Sequence, residues 1–197
     1  GHLREQIPHA RKRHDPTERG RSEGLLIFMG SSDSGNYTQK VLNALAHLRS
    51  VHPEHVEVIV SRTNAHLESL RAQCNRLGWD LITDTPDMAE HMLLADAAIG
   101  AAGSTNLERF CMGLPAFVLS VAYNQEQMLE DCKAQGLLCA HEKDTPLEDA
   151  LLAFLKDDEQ REAISRRCIT TVDGLGVDRI LSAMQKLLLP QNQEQRV

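Results

Sequence analysis

At 197 residues, 42% hydrophobic and 25% charged, the chain has the balance of a soluble globular protein, with room for one α/β domain and short tails but not for two full domains. Its 28 acids outnumber its 21 bases for a formal charge of −7, which excludes a nucleic-acid surface of concentrated Lys and Arg and leaves any phosphate ligand to main-chain groups. Cys74, Cys111, Cys132, Cys139 and Cys168 have no C-x-x-C spacing and an odd count, so a reducing, cytoplasmic setting is expected, and the apolar runs over 25–29 and 93–99 fall far short of the ~20 residues of a membrane span.

The opening Gly1-His2-Leu3 has neither an initiating Met nor a signal-peptide apolar core, and reads as an internal fragment whose native start lies upstream. Residues 1–23 are rich in Arg, Lys, His and Glu, with Pro8 and Pro16 and no apolar periodicity, and are expected to form a linker or surface arm. The domain is expected over 24–189. It opens on G-L-L-I-F-M-G over 24–30, a short continuous apolar run of the kind that is buried on both faces of a parallel sheet. Val41, Leu42, Leu45 and Leu48 then fall at three-and-four spacing, which predicts an amphipathic helix over 37–48.

The alternation repeats along the chain. Strands are predicted over 56–60, 80–83, 97–101, 116–121 and near 137–140, and helices over 65–77, 88–94, 105–112 and 125–135. Three further helices are expected over 146–155, 159–169 and 176–189, followed by a polar tail over 190–197. Strands alternating with helices predict a three-layer Rossmann-like parallel sheet with helices on both faces, whose ligand loops lie at the carboxyl ends of the strands.

Three strand-to-helix loops can carry chemistry. Gly30-Ser31-Ser32-Asp33-Ser34-Gly35-Asn36 enters a helix amino terminus, where free N–H groups and the helix dipole favour an anion; the alternative is a turn whose serines and asparagine cap the helix. It is neither a P-loop nor a G-x-G-x-x-G fingerprint. In the second loop Gly103, Ser104 and Thr105 are small enough for close main-chain approach to a diphosphate. Glu108, one turn on, is of the residue type that accepts from ribose hydroxyls, unless Ser104 is an N-cap and Glu108 merely solvated. The third loop carries Asn124 and Gln125, able to donate and accept beside a sugar, or to cap the next helix.

Taken together, G-S-S-D-S-G-N-Y-T, D-M-A-E-H-M-L-L-A-D-A-A-I-G-A-A-G-S-T-N-L-E-R-F-C-M-G-L-P and S-V-A-Y-N-Q closely resemble the UDP-sugar hydrolases of pseudaminic acid biosynthesis, over residues 24–188 and most specifically in the long middle motif. That family is similar to glycosyltransferases of the B fold, whose two Rossmann-like domains face each other, and this chain looks like the carboxy-terminal, nucleotide-binding one. The resemblance implies hydrolytic release of UDP from a UDP-linked 2,4-diacetamido-2,4,6-trideoxy sugar, with no cofactor, no metal, and a histidine base in a glycine-rich loop of the missing amino-terminal domain. It implies that Gly30, Ser31 and Ser32 line the interdomain cleft, that Gly103, Ser104 and Thr105 hold the diphosphate of UDP or a UDP-sugar and Glu108 the ribose, and that Asn124 and Gln125 meet the diphosphate or sugar. Uracil is placed near 84–88. Tyr123 stands where the family often has an acid, so the sugar contact is expected to differ.

No position here matches the family's histidine loop, so the catalytic base of this chain is unknown. The nine histidines are expected on the surface or at helix caps, and His52 and His55 flank Pro53, unlike a helical metal pair. Two alternatives stay open. A glycosyltransferase would use the same nucleotide loops, and a non-catalytic binding module fused to a sugar-pathway enzyme would bind without turnover.

Overall fold

The computed structural model describes residues 24–48, 53–121 and 125–188. The arm expected over 1–23, the tail over 190–197, and Tyr123 and Asn124 lie outside the described residues. Six strands form one sheet: β1 (Gly24–Phe28), β2 (His55–Val60), β3 (Asp80–Thr83), β4 (Ala97–Ala101), β5 (Ala116–Leu119) and β6 (Cys139–Ala140). They run in the order β3-β2-β1-β4-β5-β6 and every pairing is parallel. The helices are α1 (Tyr37–His47), α2 (Leu67–Leu77), α3 (Met88–Leu94), α4 (Thr105–Met112), α5 (Glu126–Ala134), α6 (Leu147–Lys156), α7 (Asp158–Thr171) and α8 (Gly176–Leu188).

The continuous apolar runs of the strands feed two separate cores, because successive side chains point to opposite faces. On one face Leu25, Ile27, Val58, Val60, Ile99 and Phe117 pack against Val41, Leu42 and Leu45 of α1, Leu70 of α2, and Leu151, Phe154 and Leu155 of α6. On the other, Leu26, Ala98 and Val118 meet Met88 and Met92 of α3, Phe110 and Met112 of α4, Leu129 of α5, and Ile164 and Cys168 of α7. This is the three-layer, doubly wound arrangement that the alternation predicts. Among the described residues α8 has no such partner: Val177, Ile180, Leu181, Met184 and Leu187 are all exposed.

Where boundaries differ from expectation, local hydrogen bonds explain the change. α2 starts at Leu67 because Asn64 Oδ1 accepts from the His66 N–H at 2.8 Å and holds the preceding residues in an Asx turn. α7 starts at Asp158 and runs to Thr171, capped by Asp157 Oδ1, which accepts from Gln160 N at 2.9 Å. β5 ends at Leu119, and β6 shrinks to two residues at the sheet edge. At the amino edge of the sheet, Asp96 Oδ2 accepts from Gly24 N at 2.9 Å while Asp96 N donates to Gly24 O at 2.8 Å, so one residue ties the start of β1 to the start of β4.

Gly113 ends α4 with φ +63°, and Ser165 Oγ of α7 donates to its carbonyl at 2.6 Å. A Cβ at Gly113 would lie 2.6 Å from Ile169 Cγ1 and 2.7 Å from Cδ1. Gly113→Ala therefore combines left-handed strain with overpacking of the α4–α7 contact, and we expect it to lower stability by about 2–4 kcal/mol in urea unfolding.

Candidate functional site

The strand order reverses between β1 and β4: β2 and β3 extend the sheet on one side, β5 and β6 on the other. Ligands of open parallel sheets bind in the crevice outside the carboxyl ends at such a switch point. The register aligns Phe28 with Gly100 and Ala101 with Leu119, so the loops after β1, β4 and β5 lie side by side, and Ala102 N donates to Leu119 O at 3.0 Å. The residues of all three predicted loops that the structure describes therefore share one edge.

The first loop differs from the anion site expected there. Asp33, itself buried, turns its carboxylate onto the amino terminus of α1, with Oδ1 accepting from Tyr37 N at 2.8 Å and Oδ2 from Thr38 N at 3.0 Å. Neither a serine nor Asn36 caps the helix: Asn36 takes φ +49° and makes no side-chain cap bond. The protein's own carboxylate thus occupies the place a phosphate would take. Gly30, at φ +89°, and the exposed Ser31 and Ser32 precede it at the end of β1. Sequence patterning misses Asp33 because the loop offers several capping residue types and no periodicity to choose among them.

The second loop is left open. Ser104 sits in helical conformation and makes no side-chain cap bond, so the capping alternative does not hold there. Asn106 N donates to Gly103 O at 3.0 Å and Leu107 N to Ser104 O at 3.1 Å, but the N–H groups of Gly103, Ser104 and Thr105 meet no acceptor among the described residues. Three donors at a helix amino terminus, beside small residues, suit an anionic group. Glu108 is half-buried one turn further along α4. Gln125 immediately precedes α5 and is half-buried. The 84–88 turn follows β3, where Asp84, at φ +49°, accepts from Arg62 N at 3.0 Å and Arg62 Nε at 2.7 Å, which draws the β2 and β3 loops together.

Beneath the second loop lies a buried cation that the patterns do not reveal. Arg109 is 2% exposed, with Nη1 donating to Asn106 Oδ1 at 2.8 Å and Nη2 to Phe28 O at 3.3 Å. Its head rests directly on Gly100, where a Cβ would come within 2.6 Å of the guanidinium carbon. Removal from water lowers its pKa to about 10, with Glu108 acting in the opposite sense, so it is charged at neutral pH. Read along the sequence, Arg109 is only another polar residue of an amphipathic helix; its signal is the glycine near the end of β4, which leaves space for it.

Among the described residues, four buried side-chain N or O atoms lack a hydrogen-bond partner: Asn36 Oδ1, Asn64 Nδ2, Asn106 Nδ2 and Gln125 Oε1. They follow β1, β2, β4 and β5 respectively, so all four lie along the carboxyl edge of the sheet. Buried polar groups are satisfied nearly everywhere in folded proteins, and a grouping of exceptions along one edge makes that edge the candidate for a ligand.

The histidines divide differently from expectation. His91 is neither on the surface nor a cap: Nδ1 bonds Glu57 Oε2 at 2.9 Å and Nε2 bonds Thr85 Oγ1 at 3.0 Å, bridging β2, α3 and the β3 loop. Among the described residues no three His, Cys, Asp or Glu side chains converge as a metal-ligand group, and no helix is long and apolar enough to cross a membrane. A separate hollow at the β6 edge is lined by Lys133, Cys139, Gln160 and Arg167, but Lys133 is engaged by Glu142 and the Cys139 thiol by Gln160.

No known protein-family profile matches the chain. It is 26% identical over 181 residues to the spore coat polysaccharide biosynthesis protein SpsG of Bacillus subtilis strain 168, a match that takes in 89% of this chain and 53% of SpsG. Its fold is similar to that of Acinetobacter baumannii MurG, with a TM-score of 0.67 and 16% identity, covering 91% of this chain and 53% of MurG. Anabaena HepE, solved with UDP and glucose, gives a TM-score of 0.61 at 13% identity, covering 93% of this chain and 52% of HepE. The isolated carboxy-terminal domain of the Francisella tularensis glycosyl transferase group 1 family protein LpcC gives 0.60 at 13% identity, covering 84% of this chain and 93% of that domain. The fold is one half of a glycosyltransferase-B-type architecture, and the chain spans about half the length of SpsG, MurG and HepE.

The capping role of Asp33 is open to direct measurement. Asp33→Ala leaves the Tyr37 and Thr38 N–H groups without acceptors and is expected to cost about 1–2 kcal/mol, read as a lower urea midpoint.

Proposed function

We propose that this chain is the nucleotide-sugar-binding half of a two-domain enzyme of polysaccharide or sugar biosynthesis, and that its ligand is UDP or a UDP-sugar. The observation that carries the reading is the grouping of unpartnered donors and acceptors along the carboxyl edge, centred on the open amino terminus of α4. In this reading the N–H groups of Gly103, Ser104 and Thr105 take the diphosphate, Glu108 the ribose hydroxyls, and Gln125 with Asn124 the diphosphate or sugar, while Gly30, Ser31 and Ser32 form the wall nearest the second domain. The part SpsG takes in spore coat polysaccharide biosynthesis and the UDP and glucose bound in HepE support the ligand class.

The finer proposal is hydrolysis: water attacks the anomeric carbon of a UDP-linked 2,4-diacetamido-2,4,6-trideoxy sugar, the anomeric C–O bond breaks, and UDP leaves with the electron pair. It rests on the long middle motif and its resemblance to the hydrolases of pseudaminic acid biosynthesis. The likeness to glycosyl transferase domains favours a second reading, in which an acceptor hydroxyl replaces water on the same nucleotide loops. Either chemistry takes its base from an amino-terminal domain, and the exposed apolar stripe of α8 offers such a body a surface to cover. The free state of all five cysteines supports a reducing, cytoplasmic setting.

Calorimetric titration with UDP, ADP and CDP tests the ligand. UDP is expected to bind most tightly, and Glu108→Ala to weaken it roughly 10- to 100-fold, the loss of a hydrogen bond to a charged acceptor. Equal affinity for the three nucleotides would overturn the assignment to UDP. In the two-domain protein, UDP released from the sugar nucleotide with water as the sole acceptor, and with ¹⁸O from labelled water at the anomeric carbon, is the outcome expected of a hydrolase.

A further inference from the structure

Asn106 is the second residue of α4 and only 2% exposed, yet its Nδ2 meets no acceptor among the described residues. The orientation of this amide is fixed by chemistry. A guanidinium has donors and no acceptor, so the group facing Arg109 Nη1 at 2.8 Å must be the Asn106 oxygen, and the NH₂ must face away from it. Arg109 is itself held in place by the Phe28 carbonyl and by its seat on Gly100. The end of β1, Gly100 near the end of β4 and the first turn of α4 therefore combine to hold one donor in one direction.

That arrangement is costly to leave unused. An apolar side chain of similar size would avoid burying an unsatisfied amide, with Arg109 left one of its two acceptors, the Phe28 carbonyl. Of the four unpartnered atoms on the carboxyl edge, this one stands in the same turn as the open N–H groups of Gly103, Ser104 and Thr105. An anion seated on those N–H groups would give Nδ2 the acceptor it lacks, and the Arg109 charge below would favour the same anion without touching it.

We propose that the Asn106 side-chain amide is a ligand contact, donating to an oxygen of a phosphate-class group seated on the turn formed by Gly103, Ser104 and Thr105, and that Arg109 is the positioning residue that orients it. The inference rests on the nucleotide-binding reading above and adds two residues to it.

The test compares UDP with uridine, which lacks the phosphates, in NMR-detected titrations of the wild-type chain, Asn106→Asp, Asn106→Leu and Arg109→Lys. Asn106→Asp keeps an oxygen toward Arg109 but replaces the donor by a carboxylate oxygen. It is expected to weaken UDP roughly 10- to 100-fold while uridine affinity stays within about 3-fold, with thermal stability unchanged or raised by the new pair with Arg109. Asn106→Leu removes the donor without adding charge and decides the matter should the aspartate variant not fold; a smaller loss, again confined to UDP, is expected. Arg109→Lys keeps the charge but loses the fork that orients the amide, and is expected to weaken UDP with uridine spared. Folded Asn106 variants that bind UDP as the wild type does, or lose UDP and uridine in parallel, would overturn the assignment while leaving the nucleotide reading intact. A wild-type chain that binds no nucleotide would overturn both.

Discussion

The site depends on one constraint: a parallel sheet buried on both faces can expose its working groups only at its edges, and the reversal of strand order between β1 and β4 decides where. At that point the connections leave the sheet in opposite directions, which is where ligands of open parallel sheets bind. Arg109 is the bond that holds that point together. Its guanidinium links the last carbonyl of β1 to the first turn of α4 across Gly100 of β4, so a single buried side chain sets the spacing of the elements that border the crevice. A buried cation is expensive to desolvate, and its presence here in place of an apolar contact argues that the charge and its hydrogen bonds serve the crevice as well as the core.

The two helix amino termini at the switch point are treated differently: one is capped by the protein's own carboxylate, and the other has no side-chain cap among the described residues. At α1 the protein supplies its own anion, the Asp33 carboxylate, which satisfies two N–H groups and leaves the dipole nothing further to attract. At α4 the residues that could have capped the helix do not: Ser104 is drawn into helical conformation, and Asn106 is turned by Arg109 so that its oxygen is already spent. From sequence alone both loops look like anion sites, since each runs from a buried strand through glycine and serine into a helix. What distinguishes them is a single acidic residue three positions before the cap.

The architecture was legible because its signals are periodic and redundant. Six apolar runs, all eight helices at or within two residues of their expected bounds and the glycines between them reflect burial repeated over many residues, and the strands over 80–83 and 97–101 end where their turn residues begin. Gly103, Ser104 and Thr105 stand out in the sequence for a related reason, because small residues between a strand and a helix have few purposes. The buried polar pairs were not. Asn106 and Arg109 are three residues apart on a helix whose other positions are amphipathic, and nothing in the spacing says that they face inward; the clue is Gly100, a strand residue with no reason to be small until Arg109 is laid on it. His91 escaped in the same way, since its partners Glu57 and Thr85 lie far from it in sequence and come together only when β2, the β3 loop and α3 are packed.

The chemistry of the crevice residues bears on what this half can contribute to a reaction. Apart from Glu108, which the proposal assigns to the ribose, the groups it uses at this edge are main-chain N–H groups, hydroxyls and amides, and the histidine with the most developed hydrogen bonds, His91, is committed to Glu57 and Thr85. The donors of the α4 turn are suited to stabilising negative charge. In nucleotide-sugar cleavage by the proposed route, charge develops on the departing diphosphate as the anomeric bond lengthens, and fixed donors at a helix terminus act on that charge without reorganising. On that route the nucleophile and its base approach from the opposite side of the anomeric carbon, and the proposal assigns them to a facing domain, so that the half described here would handle the leaving group whether the attacking oxygen belongs to water or to an acceptor sugar.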